Sequence, residues 1–236
     1  MKHLFFDLDH TLWDFEKNSE AALRLLYANL ELDNELRSFQ SFHTAYKKVN
    51  RKLWNQYGLG QLSKADLRFE RFNKTLLKFD VNHPELAEKL ASGYVETSPH
   101  QTILFPNAEN TLIQLRDLGY EMHIITNGFK EIQDIKLTKS GIRDYFDVVV
   151  CSEEVGKNKP AREVFTEALI RADAKAKDSV MIGDNYKADV LGAERSGICG
   201  VLFDPHREHR EGSHEWHIND LDEIPELLPW IKQKRQ

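Results

Sequence analysis

From about residue 105 to the C-terminus, short apolar runs that end in a polar residue alternate with segments of helical spacing, and few folds accept that alternation. The runs lie at 122–126, 148–151, 180–183 and 201–203, and an earlier one lies at 4–8. Their residues are mostly apolar, as expected of parallel strands buried on both faces. After Asn127 and Gly128, the stretch from Phe129 to Ser140 places apolar residues at 129, 132 and 135, and Gly141 can supply a left-handed stop. Pro160 can open a helix that buries Val164, Phe165, Ala168 and Leu169. A further helix from Ala188 to Ser196 would end at Gly197, and a terminal one from Ile224 to Ile231 is interrupted by Pro229. The expected fold is α/β, a doubly wound and mostly parallel sheet.

Residues 15–99 break the pattern, because they hold several helical patterns in succession and no convincing strand. In the clearest one, from Glu35 to Tyr57, Leu36, Phe39, Phe42, Tyr46, Val49, Leu53 and Tyr57 recur at steps of three or four along one face. Ser63 with Asp66 resembles a capping box for the next helix, which carries Leu67, Phe72 and Leu76, and Pro84 starts another with Leu86, Leu90 and Tyr94 inward. The expectation is an all-helical domain at 15–99 inserted into an α/β core formed by 1–14 and 100–236, with hinges at 13–16 and 98–104. At 236 residues the chain suits one core with a sizeable insertion better than two complete domains.

Composition narrows the function classes. With 41% hydrophobic residues the chain can bury a real core, and its formal net charge of -6 comes from intermixed acids and bases. That balance does not suit sequence-independent nucleic-acid binding. The apolar run before Asp7 is too short for a secretory signal and no membrane-spanning stretch follows, so a cytoplasmic protein with no membrane partner is expected. The two cysteines, Cys151 and Cys199, each stand beside a strand-like run and read as reduced core thiols rather than a bridge.

Chemistry gathers where the runs end. Asp7 and Asp9 follow the first run, at the carboxyl end of a strand, where ligands bind in open α/β sheets. Two carboxylates that close repel one another unless a cation joins them, which points to Mg²⁺; the plain alternative is an acidic turn. The second run ends in Thr126, Asn127 and Gly128, a hydroxyl and two backbone N–H groups able to donate to a phosphate. In the Gly156-Lys157-Asn158-Lys159-Pro160 loop, Lys159 is better fixed than Lys157 and can neutralise a nucleophile and an incoming phosphate. The fourth run ends in Gly183-Asp184-Asn185, with Asp189 five residues after Asp184; Asp184 can complete an oxygen cage around a cation, and Asp189 can orient its neighbours or satisfy a helix dipole.

These four signals, in this order, resemble the motifs of the haloacid dehalogenase-like hydrolase superfamily: Asp7-x-Asp9-x-Thr11, then Thr126, then Lys159, then Gly183-Asp184-x₄-Asp189. The resemblance covers nearly the whole chain and makes 15–99 similar to a C1 cap on a Rossmann-like core. It implies a Mg²⁺-dependent phosphatase for small phosphomonoesters. Asp7 would be the nucleophile, Asp9 the acid and base, and Thr126, Asn127, Gly128 and Lys159 the phosphate ligands. Asp7, the Asp9 backbone carbonyl and Asp184 would hold the metal, with Thr11, Asn185 and Asp189 behind them. The segments Ile125-Thr126-Asn127-Gly128-Phe129 and Ser152-Glu153-Glu154-Val155-Gly156 resemble the pyrimidine 5′-nucleotidases of that superfamily, with N-acylneuraminate-9-phosphatases close behind. His10 departs from the pattern, standing where many relatives have glycine. Phosphomutases share all these residues, while 2-haloacid dehalogenases need neither Asp9 nor a metal. Trp13, Phe15, Trp54 and Tyr57 are candidate stacking residues that read more readily as core, Arg68 and Arg71 read as surface charges, and the 206–210 run reads as a solvated loop.

Overall fold

The computed structural model describes residues 1–209 and 214–235. The chain divides into two compact units, one made of 1–15 and 102–236, the other of 16–101. No helix among the described residues is long and apolar enough to cross a membrane.

In chain order the elements are β1 (His3–Phe6), α1 (Phe15–Asn29), α2 (Phe39–Gly58), α3 (Lys64–Leu76), α4 (Pro84–Thr97), α5 (Ala108–Asp117), β2 (Glu121–Thr126), α6 (Lys130–Lys139), β3 (Val148–Cys151), α7 (Ser152–Val155), α8 (Arg162–Arg171), β4 (Ser179–Gly183), α9 (Leu191–Arg195), β5 (Cys199–Phe203), β6 (His217–Ile218) and α10 (Ile224–Lys234). The six strands form one parallel sheet in the order β3-β2-β1-β4-β5-β6. The expected α/β, doubly wound architecture is therefore the observed one.

The strand period of two sorts the core. Leu4 and Phe6 of β1, with Ile124, Val180, Ile182 and Val201, face one side and pack on Leu112 and Leu115 of α5, Leu137 of α6 and Ile224, Leu228 and Ile231 of α10. Phe5, Ile125, Val150 and Met181 face the other, against Val164, Phe165 and Ala168 of α8 and Ala193 of α9. Burying a side chain such as Phe5 contributes roughly 1.5–3 kcal/mol, so both faces draw helices to them. Because β1 lies between β2 and β4, the chain winds outward from it in both directions. That reversal leaves a crevice at the carboxyl end of β1.

The helical unit is four helices around its own core, which includes Leu23, Phe42, Tyr46, Phe72, Leu90 and Tyr94. Ser38 caps α2 by accepting from the Ser41 N–H at 3.2 Å, so this helix begins four residues after the expected Glu35. Ser63 accepts from the Asp66 N–H at 3.1 Å and donates its own proton to the Asp66 carboxylate at 2.6 Å. Arg71 is not a surface charge: it is buried, with its guanidinium 4.5 Å from the Tyr94 ring centre.

Other boundaries differ for local reasons. Pro160 precedes α8, which starts at Arg162 behind Ala161. The segment expected as one helix from Ala188 opens instead with a π-helical turn, Tyr186–Val190, before α9. Pro229 sits inside α10, which continues to Lys234. Gly141 and Gly197 do take the left-handed conformation, with φ of 74° and 82°. Both cysteines are free and buried. Within the 206–210 run, the N–H groups of Glu208 and His209 donate to Asp204, and Arg210 lies outside the described residues.

At the amino end of the sheet, two buried histidines meet. His3 Nδ1 lies 3.2 Å from His123 Nε2 and 3.2 Å from Glu121 Oε2. Burial, with the neighbouring His3 second, pushes His123 down to about 4.

Candidate active site

The loops after β1, β2, β3 and β4 bring Asp7, Thr126, Lys159, Asp184 and Asp189 together at the carboxyl end of the sheet. The Asp7 N–H still donates to the Ile182 carbonyl at 2.9 Å, so the carboxylate is anchored one residue beyond the last residue of β1. Lys159 Nζ donates to Asp7 Oδ1 at 2.8 Å and to the Ile125 carbonyl at 2.7 Å, and lies 2.6 Å from Asp189 Oδ1. Its side chain is almost wholly enclosed. Burial alone would lower the Lys159 ammonium, but Asp189 and Asp7 outweigh it and drive it upward.

Asn127 explains how Lys159 is held. Its Oδ1 accepts from the Lys159 N–H at 2.8 Å and its Nδ2 donates to the Lys159 carbonyl at 3.2 Å, a reciprocal pair on one peptide backbone. The Gly128 N–H, expected to be available to an anion, donates to Thr126 Oγ1 at 3.0 Å. Thr126 also accepts from Gln133 Nε2 at 3.2 Å, so its own hydroxyl proton is left to donate elsewhere.

On the other flank, Thr11 ties the first loop to the fourth. Its hydroxyl accepts from the Asp184 N–H at 3.1 Å and approaches Asp184 Oδ1 at 3.5 Å. Asp189 is buried and accepts from the Asn185 N–H at 2.9 Å, while Asn185 Oδ1 caps the following turn by accepting from the Ala188 N–H at 3.0 Å. Gly183 makes room for this, since a Cβ there would overlap the Asp189 carboxyl group.

Oxygen atoms of Asp7, Asp184 and Asp189 lie within 4.8 Å of one another. Burial above all, opposed by Lys159 and reinforced by Asp189 and Asp9, pushes Asp7 up to about 7. Burial, then Asp189 and Asp7, pushes Asp184 well above the carboxylate range. One ammonium cannot balance three such acids. All-oxygen donors at this spacing suit a hard divalent cation, which would let all three ionise.

Asp9 behaves differently from its neighbours. Its carboxylate is turned toward α6, where Gln133 Nε2 donates to Oδ2 at 2.8 Å and Lys136 Nζ forms a short ion pair with Oδ1. Burial would raise it, but Lys136 first and Gln133 next hold it below the usual range. Among side chains the cluster takes in Asp189, which was expected only behind the metal, while the contribution expected of Asp9 is its backbone carbonyl. Gln133 and Lys136 themselves escaped sequence reasoning. Apolar spacing pointed to 129, 132 and 135, whereas the buried face of this segment is 129, 133, 136 and 137. A glutamine and a lysine on that face were the available signal.

His10 adopts φ 68°, the left-handed region that glycine favours, and its ring lies 4.7 Å from that of Phe15. Trp13 is fully buried in the α/β core, while Trp54 and Tyr57 of α2 are half-buried.

Comparison with known proteins agrees with this geometry. The profile of the haloacid dehalogenase-like hydrolases matches residues 1–197. The chain belongs to the haloacid dehalogenase-like hydrolase family. Among relatives, this hydrolase is 32% identical over 228 residues to the pyrimidine 5′-nucleotidase YjjG of Escherichia coli, covering 95% of this chain and 96% of that one. It is 34% identical over 242 residues to the ribulose-1,5-bisphosphate 5-phosphatase of Halopiger xanaduensis, covering 95% and 98%. Among solved structures, it superimposes on the magnesium-bound HAD-hydrolase YfnB of Bacillus subtilis with a TM-score of 0.86 and 25% identity, covering 97% and 98%.

Proposed function

We propose that this hydrolase removes phosphate from a pyrimidine nucleoside 5′-monophosphate through a covalent intermediate on Asp7, with Mg²⁺ at the acidic cluster. That it is a phosphatase follows from its family and its phosphatase relatives. The observation that carries the chemistry is the meeting of Asp7, Lys159, Asp184 and Asp189 in one unit, with Thr126 joined to Asp9 through Gln133.

In this reading, residues 1–14 and 100–236 are the catalytic core and 15–99 the substrate-reading cap. A carboxylate oxygen of Asp7 attacks phosphorus, and the bond to the ester oxygen breaks as that oxygen takes from Asp9 a proton that Asp9 has accepted from the bound phosphate monoanion. Asp9 then accepts a proton from water, whose oxygen attacks the phosphorus of the acyl phosphate and frees Asp7. Lys159 orients the Asp7 carboxylate and neutralises the phosphoryl oxygens, and the Thr126 hydroxyl donates to one of them. Asn127 keeps Lys159 in place through its backbone. Mg²⁺, held by Asp7, Asp184 and the Asp9 carbonyl, with Asp189 alongside, would supply charge neutralisation and keep Asp7 ionised.

The nucleotidase assignment draws on the likeness to YjjG; the likeness to a sugar-bisphosphate phosphatase at 34% identity favours a sugar phosphate as the second reading. A panel of UMP, dUMP, dTMP, ribulose bisphosphate and N-acylneuraminate 9-phosphate, read as released phosphate, decides between them. The highest kcat/KM is expected for a pyrimidine nucleotide. A sugar phosphate at the top of the panel would replace that assignment.

A further inference from the structure

Two long side chains of α6, neither required by the chemistry above, hold both oxygens of Asp9. Gln133 is 1% exposed and donates from Nε2 to Asp9 Oδ2 at 2.8 Å and to Thr126 Oγ1 at 3.2 Å. Lys136 is 3% exposed, pairs with Asp9 Oδ1 through Nζ, and lies 3.9 Å from the Trp13 ring centre and 5.6 Å from that of Phe15. A lysine enclosed to this degree is costly to bury unless its charge is answered, and Asp9 and the Trp13 face answer it. Gly128 is shaped to the same arrangement, because a Cβ there would overlap the Gln133 amide.

Both contacts are donated to Asp9. Together they hold the carboxylate by both of its oxygens and so fix its orientation. We propose that Gln133 and Lys136 are positioning residues for the acid–base step: Gln133 fixes one oxygen of Asp9 relative to the Thr126 hydroxyl, and Lys136 pins the other, so that the carboxylate meets the ester oxygen in one orientation. A group that moves a proton works only when it is held within reach of the atom that takes it, so loosening Asp9 slows the step without weakening binding. The effect is largest when the leaving oxygen is basic and needs the proton most.

The inference rests on the acid–base reading of Asp9, so the test measures both. Steady-state rates for a series of substituted phenyl phosphates, from nitrophenyl to unsubstituted phenyl, are compared for the Mg²⁺-loaded full-length enzyme and for Asp9→Asn, Lys136→Met, Lys136→Arg, Gln133→Leu and Lys136→Met with Asp9→Asn. The expected kcat loss in Lys136→Met is about 100-fold for the poorest leaving group, the lower end of what general acid–base groups contribute, and only a few-fold for nitrophenyl phosphate. KM should stay near its original value, Lys136→Arg should recover most of the rate, and the double variant should be no slower than Asp9→Asn alone. A steep dependence for Asp9→Asn with a uniform loss for Lys136→Met overturns the inference while leaving the role of Asp9 intact. A uniform loss for Asp9→Asn overturns the acid role, and the inference with it. Gln133→Leu carries the same test, with the same steepening expected, if Lys136→Met does not fold; a uniform loss in that variant overturns the inference equally.

Discussion

Replacing Lys159 with methionine removes the cation that faces Asp7 and Asp189 while keeping most of the length of the side chain. Lys159 Nζ is within 2.8 Å of Asp7 Oδ1 and 2.6 Å of Asp189 Oδ1, so both lose their counter-charge at once. Taking one partner from a buried ion pair costs roughly 3–5 kcal/mol, because the remaining charge is left without compensation. For a domain of about this size, each kcal/mol lowers Tm by about 2–4 °C, which gives a fall of about 6–20 °C in the metal-free protein. The fall should depend on pH. Asp7 stands at about 7 with lysine present and moves higher without it. Below that value the carboxyl already carries a proton and the lost ammonium matters less; above it, the variant must either keep an uncompensated charge or take up a proton that the native enzyme does not bind. The loss is therefore expected to be larger at pH 8 than at pH 6, and Mg²⁺ should restore part of it. The assay is thermal unfolding of both proteins at the two pH values, with and without Mg²⁺. A Tm unchanged to within about 1 °C at pH 8 would show that Lys159 does not balance this cluster.

Three further outcomes are expected. Asp7→Asn should abolish phosphate release while leaving the circular dichroism spectrum intact, and EDTA should silence the native enzyme until Mg²⁺ is returned; turnover surviving either treatment contradicts the mechanism. Gly183→Ala should destabilise the α/β unit by about 1–3 kcal/mol and lower kcat, because the new methyl group must displace the Asp189 carboxyl group; an unchanged melting curve and rate would show that Asp189 has room to move. His123 is depressed to about 4 in the fold, so between about pH 6.5 and 4 the unfolded chain binds the proton that the native state refuses. Stability should fall through that window as the pH drops, by up to about 3 kcal/mol, and His123→Gln should flatten the curve; a stability profile that His123→Gln leaves equally steep would count against it.

The strands and their order of chemistry were readable because a parallel strand buried on both faces has little alternative to a continuous apolar run. Their ends were less so: Leu8 extends the first run, yet β1 ends at Phe6 and Asp7 keeps a single ladder hydrogen bond to Ile182. The two-residue edge strand β6 left no periodic signal to find. The charged residues that follow the strands stood out by type and spacing, and the structure gathers Asp7, Lys159, Asp184 and Asp189 at one end of the sheet. What spacing could not convey was which partner each would choose. Asn127 offers its side chain to the Lys159 backbone across 32 residues, and Lys136 is drawn inward by Asp9 and the Trp13 ring although the apolar spacing of α6 points to a different face. Arg71 went unrecognised as an interior residue because its burial rests on stacking over Tyr94, a tertiary contact that helical periodicity does not encode.

The claim on which the rest depends is that phosphate passes through the carboxylate of Asp7. Enzyme mixed with excess substrate and quenched within its first turnovers, then treated with borohydride, should yield homoserine at position 7 in the tryptic map, because hydride reduces an acyl phosphate but not a free carboxylate. Homoserine at another aspartate, or at none while phosphate is being released, would contradict a covalent role for Asp7.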